Sequence, residues 1–219
     1  MTQHDQSGLA EVFKISGPEY GESLQEQHAV ATGAYNTAQT KFEQAATDER
    51  TEITRGLVAT KRLQRIQTET RELESRVLDA VFSGDDSADV LTREHAVLLH
   101  AGGILRKAIA IHESHTLTDA RRATLDAELV SLDAEILVKK LDHALLLNDI
   151  LTIQKRAMAL NGGEYKLDAE QLFTGRIRDL QLEVFRLEDR KISLKRKLET
   201  HNADALEMRA QYTRNFQND

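Results

Sequence analysis

The chain has 219 residues, enough to bury a core without covalent staples. It has no Cys and no Trp, one Pro and 11 Gly, which excludes a disulfide framework or a thiolate metal centre and fits poorly with the many turns of an all-β protein. Its 36 acidic and 29 basic residues leave a formal net charge of −7, and no apolar run approaches the ~20 residues that span a bilayer.

The composition is dominated by Ala, Leu, Glu, Arg, Lys, Gln and Asp, the residues of long helices and coiled coils. The expectation is an all-α fold: an elongated antiparallel coiled-coil bundle, made of a long helical hairpin plus a third long helix packed on one half. A short segment, residues 1–18, is expected to precede a single domain over 19–219, with helices at about 19–82, 88–160 and 168–216. Met1–Gly17 lacks the basic start and apolar stretch of a secretory signal, and with the absence of Cys this predicts a cytoplasmic protein. Leu9, Val12, Phe13 and Ile15 predict one short amphipathic turn there, closed by Gly17 and by Pro18 in the first turn of the next helix.

From Leu24 to Ala80 apolar positions recur in alternating steps of four and three, as a left-handed coiled-coil seam requires. This predicts one helix of about 95 Å. Its seam is rich in Ala and turns polar only at Glu49, Glu52 and Gly56. Ser83-Gly84-Asp85-Asp86-Ser87 reads as the first turn, with Gly84 as a helix C-cap and Asp86 or Ser87 as the next N-cap.

The second seam runs from Val90 through Glu94, Val97, Ala101, Ile104, Ala108, Ile111 and His115 to Leu160, read in one phase. Ser114–Thr118 holds no Gly or Pro, so 88–160 is expected to be one helix, bent or frayed near His115. Asn161-Gly162-Gly163 is the second breaker and Asp168 the next N-cap. The last seam runs from Phe173 through Leu194 to Tyr212. Folded back along the second helix, it is expected to set Ile177, Val184 and Leu194 beside Thr152, Leu145 and Ile136 or Glu135. It should run out near Leu117, leaving the Gly84 end a two-helix prong.

A hairpin closed around Asp85 pairs residues whose numbers sum to about 171. That register sets Glu49 against Arg122, Glu52 near Thr118 and Gly56 near His115. Glu49, Glu52, His115, Arg121 and Arg122 are therefore expected to form a register-setting polar layer. Phe42 should face Leu129, and Leu63 should face Ala108. The prong's second helix also carries Leu91, Leu98, Leu99, Leu105 and Ile109 beside its seam, more apolar surface than a two-helix prong covers. These five are expected to form a partner interface.

Catalytic, cofactor and metal sites are not expected. The positions three before His112, His143 and His201 are Ile109, Lys140 and Leu198, so the Glu-x-x-His of di-iron bundles is missing. Asn161-Gly162-Gly163-Glu164 lacks the Lys-Ser/Thr of a P-loop. The basic stretch Arg190–Lys197 has no interleaved aromatics for stacking bases and reads as a solvated face, so nucleic acid is not an expected partner.

The functional expectation is a non-enzymatic structural or scaffolding protein that self-assembles into a homo-oligomer or binds other proteins. In helix lengths and order the chain also resembles BAR-type curvature modules, which dimerise through such bundles. That resemblance implies a membrane-binding or membrane-remodelling role, which the short Leu9–Ile15 segment favours and the net charge of −7 opposes. A third alternative is a helical pore-forming component that inserts Val97–Ile111.

Overall fold

The computed structural model describes residues 18–160 and 169–216. They form α1 (Pro18–Ser83), α2 (Ala88–Ile111), α3 (Thr118–Leu160) and α4 (Ala169–Phe216). A six-residue π-helical turn, His112–Leu117, joins α2 to α3 without leaving the helical path. The protein is thus an all-α bundle of three long helices, the second made of α2, the π turn and α3. No strand occurs among the described residues. The amphipathic turn expected at Leu9–Ile15, the Asn161–Gly163 breaker and the Asp168 cap lie outside the described residues.

The α1–α2 turn is built by Gly84, whose φ of 72° is in the left-handed region that costs other residues a Cβ clash. The amide of Asp85 bonds the carbonyl of Ala80 at 2.9 Å and that of Gly84 bonds Val81 at 3.4 Å, which closes the helix end in a Schellman arrangement. Ser87, expected as a cap, makes no side-chain cap bond. Instead the Asp85 carboxylate accepts from the Ser87 amide at 2.8 Å, and that bond holds its pKa below the usual carboxylate value.

Contacts divide the chain into two compact units: the chain up to Phe42 with Ala127–Lys195, and Glu43–Asp126 with Arg196 onward. In the first, α1 offers Leu24, Ala31 and Ala38, α3 offers Leu132, Ile136, Leu146 and Ile150, and α4 offers Leu194, all buried. Phe173, Ile177 and Leu180 pack on Leu146 and Ile150. Ile177, expected beside Thr152, is one of the residues packed on this Leu146–Ile150 cluster. Polar pairs flank the core: His28 donates to Asp142 at 2.8 Å, Ser131 to Gln39 at 2.9 Å, and Lys139 and Lys140 meet Glu183 and Glu188.

In the second unit, Leu73 and Ala80 of α1, Gly102 of α2, Ser114 of the π turn, Thr118 and Thr124 of α3, and Ala205 and Tyr212 of α4 are buried. The hydroxyl of Thr124 donates to the carbonyl of Ala45 at 3.1 Å, and the Ile66 side chain would lie 3.5 Å from a Cβ at Gly102. These pairs, with His28–Asp142 and Gln39–Ser131, sum to about 170, so the antiparallel register matches the expected one closely.

Every member of the α1 seam from Leu24 to Ala80 is buried or half-buried, and so is every member of the α4 seam from Phe173 to Tyr212. The second seam does not keep one phase. In α2 the expected members Val90, Val97, Ile104 and Ile111 are exposed, Val97 at 67%. One residue on, Leu91, His95, Leu98, Leu105 and Ile109 are half-buried and Gly102 is buried. Four of the five expected interface residues, Leu91, Leu98, Leu105 and Ile109, thus share the face that Gly102 turns to α1. Leu99 alone of the five is exposed.

The π turn is the cause. Counting sevens from Gly102 leads to Ala123 and Val130, both exposed. One position further stand Thr124 and Ser131, both buried and both bonded to α1. A π turn carries one extra residue in a helix. That residue displaces the α2 face by one position relative to the α3 face.

Candidate functional site

Two features of the second unit call for a functional account: the polar cluster at the π turn and the uncovered apolar row of α2.

A π turn loosens the regular i→i−4 ladder and leaves carbonyls to be satisfied by other groups. The Ser114 hydroxyl donates to the Ala110 carbonyl at 2.6 Å, and the Thr118 hydroxyl donates to the carbonyls of Ser114 and His115, both at 2.9 Å. With the Ser114 proton so engaged, His115 Nδ1–H is the donor to Ser114 Oγ at 2.8 Å. From α4, His201 Nε2–H donates to the Thr118 carbonyl at 2.9 Å. Arg209 gives its Nε–H to the Ser114 carbonyl at 3.2 Å and its terminal nitrogen to Asp119 at 2.5 Å. Tyr212 stands edge-on to His115, with ring centroids 5.6 Å apart, and Phe216 stacks on Tyr212.

From α1, Glu52 meets the turn's first residue. His112 Nε2–H donates to the Glu52 carbonyl at 3.0 Å, while Nδ1 lies 3.7 Å from the Glu52 carboxylate, which also pairs with Arg55. Gly56 lies against this pair, and a Cβ there would stand at ordinary contact distance, 3.4 Å, from the His112 ring.

The expected polar layer is therefore rebuilt with different members. Glu52 and His115 are both at the turn but hold different partners. Glu49 is half-buried and makes no ion pair with a described residue. Arg121 is exposed, and Arg122 pairs with Asp126 on its own helix at 3.6 Å, so the Glu49–Arg122 pair does not form. His112, Ser114, Thr118, His201 and Arg209 went unread as a group. The available signal was the run of five polar residues from His112 to Thr116 in the middle of a long helical segment.

Thr118, Asp119, Arg122, His201, Asn202 and Arg209 border an open groove of about 130 Å³. That is below the 300 Å³ or more of ordinary small-molecule pockets. The His201 and Arg209 donors already serve backbone carbonyls, so the cluster acts as a latch on the π turn. Among the described residues no three His, Asp or Glu gather as metal ligands.

The second feature is the row Val90, Val97, Ile104 and Ile111, exposed at seven-residue spacing along α2. Such spacing keeps all four on one face of a supercoiled helix. Glu94, Arg93, His100 and Lys107 stand exposed beside it. No helix among the described residues is long and apolar enough to cross a membrane.

The fold and this surface define a class, an all-α helical bundle with an uncovered heptad row. No family model, curated protein or solved structure matches the chain.

Proposed function

We propose that the protein is a non-enzymatic structural or scaffolding component that works by helix-mediated assembly, with the exposed face of α2 as its docking surface. The observation that carries this reading is the heptad-spaced row Val90, Val97, Ile104 and Ile111, left open although α2 packs on α1 one position away. An apolar row with that spacing has the pattern of a helix seam lacking its partner. The cysteine-free composition supports a cytoplasmic setting.

The test is the mass of the native protein in solution beside that of a variant carrying Val97→Glu and Ile104→Glu. The wild type is expected to run as an assembly and the variant as a smaller species of equal helicity. An assembly unchanged in the variant would overturn the docking role of this face.

A second reading, binding at a membrane surface, draws on the same row because Arg93, His100, Arg106 and Lys107 are exposed near it. Apolar residues beside cations are the pattern of interfacial helices. Co-sedimentation with anionic and with neutral vesicles tests it. Binding to neither would overturn it.

A further inference from the structure

We infer that two copies of this chain join through unlike surfaces: the hairpin end of one, with Leu78, Val81 and Phe82, seats on the outer face of α4 in the other, against the partner's Leu182, Phe185 and Ile192. This contact is separate from the α2 row and does not depend on it.

The hairpin end is apolar and acidic at once. Leu78, Val81 and Phe82 are spaced i, i+3 and i+4, so they share one face of the last turns of α1. All three are exposed, Phe82 at 87%. Asp79, Asp85, Asp86 and Asp89 stand near them in sequence, all exposed and none in an ion pair with a described residue. From Val77 to Thr92 the chain holds these four Asp and no Lys, Arg or His. The bonds that close the helix end at Gly84, and that from the Ser87 amide to Asp85, fix the turn, so the patch is presented already ordered. Its charge repels nucleic acid and anionic lipid and calls for a cationic surface with an apolar centre.

The chain itself offers such a surface. Leu182, Phe185 and Ile192 are exposed on α4, Phe185 at 68%, and steps of three and seven keep them on one helix face. Arg178, Arg186 and Lys195 are exposed three or four residues from members of this face. Glu183 and Glu188 are already paired with Lys139 and Lys140. From Arg176 to Lys195, four cations without an ion pair to a described residue, Arg176, Arg178, Arg186 and Lys195, therefore stand against two such carboxylates, Asp179 and Asp189. Two hairpin ends repel each other, as do two α4 faces, whereas end and face attract, so charge selects the heterologous contact over a two-fold one. Each patch has an exposed Phe among its apolar residues, the kind of side chain that anchors protein interfaces.

Mixing two disabled proteins tests the contact. Val97→Glu with Ile104→Glu serves as the background, so that the α2 row takes no part. In sedimentation velocity the background protein should still gain mass as its concentration rises. Its affinity should fall about tenfold between about 50 mM and 500 mM salt, as a charge-matched contact requires. Phe82→Arg, which disables the end, and Phe185→Glu, which disables the face, should each leave a single chain. Both positions are exposed, so helicity should be unchanged. An equal mixture of these two variants should form a pair, because the intact end of one still meets the intact face of the other.

A background protein that stays a single chain at all concentrations would overturn the second copy as partner. Association that survives either variant, or a mixture that stays unpaired, would overturn the pairing of end with face, and indifference to salt would overturn the charge match. These outcomes differ from failure of the docking role of α2, in which Val97→Glu and Ile104→Glu leave the assembly unchanged.

Discussion

Arg209 of α4 donates its Nε–H to the Ser114 carbonyl inside the π turn and its terminal nitrogen to the Asp119 carboxylate just beyond it. One guanidinium thus satisfies a buried backbone acceptor and an exposed charge together. The acceptor matters more, because Asp119 is well exposed and its ion pair is screened by water. Arg209→Met should lower unfolding free energy by about 1–2 kcal/mol, whereas Asp119→Asn should cost less than about 0.5 kcal/mol. Urea denaturation of the two variants checks this ordering.

The one-residue shift of phase makes a sharper prediction. Leu98 and Leu105 are half-buried on the face turned to α1, while Val97 and Ile104 are exposed. Leu98→Glu with Leu105→Glu should cost about 3 kcal/mol or more, or melt this part of the helix, since it buries two unpaired carboxylates. Val97→Glu with Ile104→Glu should leave helicity intact. Deletion of Glu113, exposed within the π turn, should convert the turn to ordinary α-helix and preserve both faces. Circular dichroism melts of the three proteins distinguish these outcomes.

His95 sits on the packed face of α2, and its Nε2 is buried without a hydrogen-bond partner. An unpaired polar atom of this kind costs about 1–3 kcal/mol. His95→Leu should therefore raise stability, by about 1 kcal/mol after the change in shape is absorbed. A loss of stability in thermal melts would show that the ring is needed there.

His143 gives the first unit a pH dependence. Burial pushes its pKa below the ordinary 6.5. The unfolded chain then binds the proton more readily than the folded one, so this contribution is complete above about pH 6.5 and is lost as the pH falls below it. Protonation would also remove the Nε2 lone pair that faces the Gln181 amide at 3.5 Å. His143→Gln should melt with a flatter pH profile than the wild type on the acidic side. Identical profiles would contradict the assignment.

How much of this was legible in the sequence differs from helix to helix. Helix positions, the Gly84 turn and the α1 and α4 seams could be read directly, because in those helices the seam phase holds an unbroken four-three series and the other apolar residues, such as Val58, Phe82 and Phe185, form no rival series. The near-170 register followed from the turn position by counting. In α2 the residues come in adjacent apolar pairs, Val90-Leu91, Val97-Leu98 and Ile104-Leu105, so two phases one residue apart fit the periodicity equally well. Local propensity does not choose between them, since the same residues form α-helix or a π turn. Only packing against α1 decided: the extra residue at His112–Leu117 lets Gly102 and Thr124 face α1 together, and it leaves the Val90–Ile111 row open. The latch of His201 and Arg209 on that turn was equally invisible, because it joins carbonyls freed by the turn to side chains more than eighty residues away.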